Sequence, residues 1–466
     1  MSGTLLPPGL AYLQPIVQDN TLVREFRDAL FPNLLYRQEA MAERWAANMG
    51  EKLIQTRASL LEPISEPLTP GADPIPVAPS YEQWSVQAAQ YSSTIDTSMP
   101  ASRTALASIF VRNAKQLGLQ AGQSMNRKVR DRLFAAYTSG DTVTQAIGVA
   151  TVSVPVDSLN GFTTSLVNGE VVPVSPATPK EIQISGVAGT SLVVAATPAN
   201  PLLPLGPGVL TLAVAASFAA NARVLAADAP TIVRVGGAAT VDGLTTTSII
   251  SLADIRRAVA QLRRNRIPAH EDGYYHVHLD PEATSQLFSD NEFQRLNQSL
   301  PEGQRYQQFY VGSLLGCHFI ENSESPNVNT SATPGNPLQA TGRGSVEISP
   351  TMYSSARNAT GVGILRTVIT GGGAIYEKWI DETSEYASEA GYTGKVEQGF
   401  QINNQGLAVS VERVRYIIRA PLDRLQQQVS QSWSFSGDWA IPTDQTGGQT
   451  RGRFKRAIVI ESGSED

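Results

Sequence analysis

The feature that most constrains the fold is an amphipathic segment at residues 102–137. Its apolar residues recur every three or four positions, which is typical of a helix with one buried face. The stripe includes Leu106, Phe110, Leu117, Met125, Val129 and Leu133. Ser102 is a suitable N-cap and Gly140 a suitable stop. The pattern predicts one helix roughly 50 Å long, which would act as a strut or spine.

Basic side chains lie largely off this stripe. They are Arg112, Lys115, Arg127, Lys128, Arg130 and Arg132. Two interpretations stay open for them: a solvated helix face, or a contact with a polyanion. Gly118 and Gly122 interrupt the helix, and each costs about 1 kcal/mol relative to alanine. A bend or close packing against a neighbour would explain these glycines, and we prefer the bend.

Composition limits the function classes. The 466 residues allow two to four domains, and the net charge of -6 argues against a general nucleic-acid binder, so any such contact is local. Cys317 is the only cysteine, which excludes an intrachain disulfide and favours a reducing compartment. The N-terminus lacks a basic region and no apolar run could cross a membrane, so a soluble intracellular product is expected.

Two extended segments, residues 51–60 and 81–97, flank a proline-rich tip. Trp84 and Val86 alternate with polar residues, as in a half-buried strand. The pattern predicts a long β-hairpin with little core of its own, whose apolar residues would be buried between subunits. Residues 1–38 are also too apolar for a free tail, and we expect them to lie across another surface, such as a neighbouring subunit.

Charges nearly vanish in residues 147–247, where short apolar strands alternate with turn residues. This pattern predicts a small β-sandwich or barrel inserted into the chain. A helical pattern resumes after it, with Ser251 as N-cap and Ile255, Val259 and Leu262 on one face. More strands follow, so the predicted class is α+β.

Candidate chemistry is sparse. His276 and His278 share one face of a predicted strand, which Asp280 continues, and with His270 and His318 they could hold a metal. Paired core or interface imidazoles are the preferred interpretation, because nothing in the sequence makes these ligands converge. Cys317 and His318 are adjacent in a strand, so they point to opposite faces. No catalytic residue, cofactor or metal site is predicted.

Three phrases carry a resemblance to a known family. They are SLADIRRAVAQLRRNRIP, GYYHVHLDPEATSQLFSD and VGSLLGCHFIENSESP. Together with the order of arm, hairpin, long helix and α+β domain, they resemble the major capsid proteins of tailed double-stranded-DNA bacteriophages, within the short-tailed-phage group. The resemblance covers residues 36–442 except for residues 147–247.

The resemblance implies the Hong Kong 97-like capsid fold with an inserted all-β domain. The implied parts are an N-terminal arm (1–38), an extended loop (39–98), a peripheral domain with the spine helix (99–146), the inserted domain (147–247), an axial domain with peripheral strands (248–385), and returning peripheral strands with a C-terminal tail (386–466).

The implied function is assembly of pentamers and hexamers into an icosahedral virion head around double-stranded DNA, in the host bacterial cytoplasm. The implied partners are a portal, a separate scaffolding protein and a cement protein, with the basic helix residues facing DNA. The extended loop has only Lys52, far from its tip, so covalent cross-linking is not expected. An encapsulin-type shell, a metal-dependent enzyme, and a tail or decoration protein are the alternatives.

Overall fold

The structure is a computed structural model, and both helices and strands occur in it, which agrees with the predicted α+β class. It describes residues 21–45, 52–58, 81–98, 109–167, 170–201, 204–298, 312–322, 327–328, 362–381, 400–402, 406–419, 428–442 and 455–464, with single positions between 50 and 76. The α-helices in these residues are α1 (Thr21–Leu30), α2 (Ile109–Tyr137), α3 (Leu252–Arg264), α4 (Pro281–Ser289) and α5 (Asn291–Gln298).

Strands make up most of the remaining described chain. The first twelve are β1 (Ala40–Arg44), β2 (Lys52–Ala58), β3 (Tyr81–Gln87), β4 (Ala89–Ser98), β5 (Asp141–Val143), β6 (Gly148–Val156), β7 (Thr164–Val167), β8 (Glu170–Pro173), β9 (Lys180–Ile184), β10 (Ser191–Pro198), β11 (Gly208–Phe218) and β12 (Arg223–Ala226). The others are β13 (Ile232–Arg234), β14 (Tyr275–Leu279), β15 (Ser313–Leu314), β16 (Cys317–Glu321), β17 (Asn327–Val328), β18 (Ile364–Thr370), β19 (Ile375–Trp379), β20 (Phe400–Ile402), β21 (Gly406–Val411), β22 (Val414–Arg419), β23 (Gln428–Ala440) and β24 (Ala457–Gly463).

The chain forms two compact units. The first unit comprises Met1–Ile54, Ser85–Val129 and Ile375–Ala440. Its seven-stranded sheet has the order β1-β19-β23-β22-β21-β20, and β4 also pairs with β23. The β1–β19 pair is parallel, whereas β23 pairs antiparallel with β4, β19 and β22. Stretches far apart in sequence therefore meet in one sheet.

The first 21 residues of the long helix, α2, belong to this unit and pack along β23. Gln431 donates a hydrogen bond to the carbonyl oxygen of Phe110 at 3.2 Å. Gly118 lies against α1, because a Cβ atom there would be 2.4 Å from the carbonyl oxygen of Phe26. Close packing therefore explains Gly118, which corrects the preference for a bend at this position.

The second unit comprises Gln55–Trp84, Arg130–Ala374 and Ile441–Asp466. Residues 141–226 form a six-stranded sheet in it, with the order β5-β12-β9-β10-β11-β6. An antiparallel bridge between Thr144 and Val156 joins the two ends of this order, so the sheet closes into a small barrel. Its core contains Phe162, Ile182, Leu210 and other apolar side chains. A β-barrel was one of the two architectures predicted for this low-charge region.

The other large sheet of the second unit has the order β13-β24-β18-β14-β16-β15, with β17 paired to β18. Helix α3 begins at a capping box made by Ser251 and Asp254. Ile255 and Leu262 of this helix share one apolar core with Val277. Strand β13, although inside the range predicted for the insertion, belongs to this sheet, and β24 lies between β13 and β18.

Candidate functional site

The long helix α2 is the element on which the predicted site depends. Phe110, Leu117, Met125, Val129 and Leu133 are each 2% exposed or less. Leu106 and the proposed N-cap Ser102 lie outside the described residues. The helix ends at Tyr137, and Gly140 adopts a φ of 75°, as a residue after a helix end often does. The apolar spacing and the stop signal in the sequence therefore both have a structural counterpart.

The buried stripe winds around the helix instead of following one face. From Leu117 to Tyr137 the buried residues are spaced by four, and each such step turns about 40° around the axis. Five steps add up to a rotation of roughly 200°. The exposed side turns with it, so that Arg112 and Lys128 lie about 160° apart around the helix. The basic side chains therefore do not form one continuous face.

The six basic residues differ in exposure. Arg112, Lys115, Lys128 and Arg132 are exposed, and Arg127 is half-buried. Arg130 is only 1% exposed and donates to the Asp131 carboxylate at 2.8 Å. The expectation that Arg130 faces DNA is thus corrected, because the rotation of the stripe turns this side chain into the protein.

Part of the N-terminal arm is held by the same chain. The Phe26 ring of α1 stacks on Tyr416 with ring centroids 4.7 Å apart. The backbone N–H of Tyr36 donates to the side-chain oxygen of Asn126, on α2, at 2.8 Å. Residues 21–45 therefore lie on their own subunit, while the expectation that the arm lies across another surface rests on residues 5–17 and stays a prediction. Its most apolar part, residues 1–20, lies outside the described residues.

A buried ion cluster fixes the segment that follows this arm. Arg37 makes two hydrogen bonds of 2.8 Å to Glu377, and Trp439 donates to the same carboxylate at 3.1 Å. Burial alone would raise the pKa of Glu377, but Arg37 and Arg413 lower this pKa below its ordinary value. The carboxylate is therefore ionised at neutral pH and compensates the buried guanidinium of Arg37.

The hairpin strands β2 and β3 form a separate two-stranded sheet. Trp84 and Val86 are buried and Ser85 and Gln87 are exposed, which is the alternation that the sequence predicts. The Trp84 indole donates to the side-chain oxygen of Gln55 at 2.9 Å. Burial of Trp84 and Val86 within one chain corrects the expectation that another subunit covers them. Most of the proline-rich tip lies outside the described residues.

Three histidines cluster in the second unit. The rings of His270 and His276 stack 4.2 Å apart at an angle of 11°, and the ring of His318 lies 5.8 Å from that of His276. One ring nitrogen of His270 and one of His276 lie within 4.8 Å of each other, a spacing that two ligands of one metal ion can have. The His276 ring also lies 2.7 Å from a carboxylate oxygen of Asp272. Within this unit His270 and His276 therefore form a stacked pair, and His318 meets His276 edge-on at 66°.

Other candidate ligands have structural roles. His278 is fully buried. Asp280 caps α4, because its side chain accepts a hydrogen bond from the backbone N–H of Glu282 at 2.9 Å. Burial raises the pKa of Cys317 to about 11, which makes it a poor nucleophile at neutral pH. The partly buried His318 pairs with Ser313 at 3.1 Å.

Sequence reasoning missed a buried ion network around Glu461. This residue is 2% exposed and accepts from the guanidinium groups of Arg234 and Arg366, each at 3.0 Å. Arg234 also donates to Asp141 at 2.9 Å, and Asp141 accepts from Arg223 at 2.7 Å. The network therefore links the barrel to the second sheet. The only sequence signal for this network was the position of Glu461 within the apolar run of β24.

No protein-family model and no curated protein matches the chain. Solved structures that it resembles include the capsid of Ralstonia phage GP4, at 11% identity and a TM-score of 0.46, with 92% of this chain and 88% of that chain covered. The capsid of cyanophage Pam1 has 11% identity, a TM-score of 0.45, and coverage of 94% and 93%. The capsid of cyanophage P-SCSP1u has 10% identity, a TM-score of 0.45, and coverage of 91% and 86%.

These neighbours are phage capsid structures, the class that the sequence resemblance indicates. None of the described helices is long and apolar enough to cross a membrane.

Proposed function

We propose that the chain is a major capsid protein of a tailed double-stranded-DNA bacteriophage, which assembles into pentamers and hexamers of an icosahedral head. The observation that carries the proposal is the order of parts: a hairpin precedes a 29-residue helix, which packs on a sheet assembled from distant chain segments. This is the plan of the Hong Kong 97-like fold implied by the sequence resemblance, and a structural role requires no catalytic centre.

The finer assignments belong to the same proposal. Residues before β1 form the arm, β2 and β3 the extended loop, α2 the spine helix, and the sheet containing β14 and β18 the axial domain. The barrel at residues 141–226 is the inserted domain. Proposed partners are other copies of the chain, a portal, a scaffolding protein and a cement protein, with the product in the virion after assembly in the host cytoplasm.

The physical basis for assembly is the hairpin. A two-stranded sheet is marginally stable alone in water, and this one carries a long proline-rich tip at residues 59–80. Trp84 and Val86 anchor its base, so the tip is the part proposed to lie over a neighbouring subunit. Each such contact is weak, but a closed symmetric shell repeats it many times.

Contact with packaged DNA is proposed for one exposed pair of basic residues on α2. Because the stripe winds, the pair Arg112 and Lys115 and the pair Lys128 and Arg132 lie on different sides of the helix. Each pair is replaced by glutamines in a separate double variant. Only one of the two variants should lower the salt concentration at which filled particles lose DNA, because only one pair neutralises phosphates. The other variant is the matched control, and equal behaviour of both would refute this contact.

Electron microscopy tests the main proposal. The chain is produced alone and together with the products of its neighbouring genes. Closed icosahedral particles that contain DNA in the infected host are the expected result, whereas protein cargo would indicate an encapsulin-type shell. A small oligomer of uniform size under all conditions would refute assembly.

A deletion of residues 63–79 tests the role of the hairpin tip. The subunit should fold, because described positions of the deleted stretch such as Pro67, Gly71 and Pro76 are exposed, but it should not form stable shells. Normal shells from this deletion would exclude the tip from assembly.

A further inference from the structure

The barrel carries an exposed apolar ribbon. Seven of the thirteen large apolar side chains that are exposed in the described chain lie in residues 141–226. Four of them, Ile147, Val149, Val152 and Val214, lie within or beside the stretch where residues 147–153 and 211–217 run side by side, with an irregular register between Thr211 and Ala216. Val149 is 79% and Val214 77% exposed. We call this stretch the ribbon. Both of its faces are open, since consecutive residues on each strand are exposed.

The ribbon also has an open edge. Strand β6 ends the strand order of the barrel, and only β11 pairs with its first half in the described chain. Bridging at Thr144 closes the barrel only at the other end of β6, near Val156. Edge strands of soluble proteins are usually protected by charged side chains, by proline or by a covering element. Residues 147–153 contain neither a charge nor a proline.

We propose that the ribbon pairs with the same ribbon of a second copy of this chain, edge to edge through β6. The lack of charge and the open backbone groups of the strand edge identify the partner as a second copy. Residues 142–156 and 182–222 carry no charged side chain, so the ribbon has nothing to attract DNA or a charged peptide. A lipid surface would cover the valines but leave the backbone N–H and C=O groups of the edge without hydrogen-bond partners. An identical ribbon is neutral and apolar and supplies both groups.

The symmetry of the pairing is defined. Two β6 edges that meet antiparallel are related by a two-fold axis, so one self-complementary patch serves both copies. A ribbon this short buries a small area, and the contact is useful where many act together in a shell. The inference therefore rests on the proposed function, to which it adds a specific contact between subunits.

Charge substitution tests the contribution to assembly. The full chain with Val149→Lys and Val152→Lys, both on β6, places like charges across the proposed interface, and its yield of closed particles should fall at least tenfold. Thermal unfolding of the subunit should be unchanged, because both side chains are exposed. Val171→Lys is the matched control, a 48% exposed valine of the same region that lies on the separate β7–β8 hairpin. Particles from the ribbon variant in wild-type yield would overturn the proposal.

Cross-linking tests the contact directly and does not require closed shells. Val149→Cys in the full chain is treated with a short bis-maleimide, and the buried Cys317 does not react. Covalent dimers are expected from this variant and not from Val171→Cys. Absence of dimers both in particles and in concentrated subunits would overturn the ribbon contact even if shells form. If the wild type forms no shells but the dimers appear, the capsid proposal fails and the ribbon contact stands.

A vesicle-flotation assay tests whether the ribbon binds a lipid surface instead of a second copy of the chain. Flotation of the full chain with phosphatidylcholine vesicles, abolished by Val149→Lys and Val152→Lys, would assign the ribbon to a lipid surface and overturn the proposal. The expected result is no flotation of either protein.

Discussion

Replacing Glu461 by glutamine removes the negative charge between two buried guanidinium groups. Arg234 and Arg366 are about as buried as Glu461, whose carboxylate pairs with both guanidinium groups, while Asp141 pairs with Arg234 as well. Glutamine keeps the shape but leaves excess positive charge inside the protein. Breaking a buried ion pair in this way costs about 3–5 kcal/mol. At about 2–4 °C per kcal/mol, the melting temperature should fall by about 6–20 °C.

The pH dependence gives an independent check on the same substitution. Burial alone would raise the pKa of Glu461, but Arg234 and Arg366 lower this pKa below its ordinary value. Because the pKa of Glu461 is lower in the folded than in the unfolded protein, its ionisation stabilises the fold. This contribution is fully present above the unfolded-state pKa of about 4.3 and is lost as the pH falls through the folded-state pKa. The difference between wild type and variant should therefore be constant near neutral pH and shrink below about pH 4.

Thermal unfolding followed by near-UV circular dichroism on unassembled subunits measures both effects. Glu412→Gln is the matched control, since its contact with Arg27 is 3.9 Å long and solvent-exposed, and its melting temperature should change by no more than about 2 °C. A Glu461→Gln variant that melts within about 1 °C of the wild type would show that the network does not stabilise the fold.

Three further predictions concern packing. Gly118→Val places a Cβ atom 2.4 Å from the Phe26 carbonyl oxygen and should lower the free energy of unfolding in urea by about 1–3 kcal/mol or more. The control Gln116→Val, on the exposed side of the helix, should change this free energy by less than about 1 kcal/mol. Equal urea midpoints for the two variants would contradict the close approach of α1 to Gly118. Leu117→Asp buries an unpaired charge and should leave no soluble folded subunit, so soluble assembled protein would refute the assignment of this helix face. Burial should prevent maleimide labelling of Cys317 for hours at pH 7.5 until urea is added, and rapid native labelling would contradict its place in the core.

Local patterns predicted the regular elements well, because each depends on near neighbours in sequence. The N-cap at Ser251, the strand that carries His276 and His278 and the alternation around Trp84 all appear in the structure where the sequence predicts them. The barrel strands also follow from short apolar runs between turn residues. These signals are periodicity and turn chemistry, which require no knowledge of tertiary contacts.

Tertiary contacts account for the parts that the sequence could not predict. A single straight stripe of apolar residues predicts an exposed Arg130, whereas repeated four-residue steps rotate the buried side of the helix and bury it. Glu461 was not singled out because its partners lie 95 and 227 residues away in the chain. Gly118 could not be explained until Phe26 was found beside it.

The distribution of charge in the barrel connects the buried network to the proposed ribbon contact. The ion pairs of residues 141–226 are made by residues flanking its neutral strands: Asp141 bonds Arg223 and Arg234, and Lys180 bonds Asp228 at 2.9 Å. Buried charges need specific partners, and the Asp141–Arg234 pair joins the barrel to β13 of the second sheet. The neutral ribbon has no such constraint, and charge there would only add a desolvation cost on pairing. A charged anchoring end and a neutral apolar ribbon are therefore what a barrel needs if it is to be fixed to its own chain and to contact another copy.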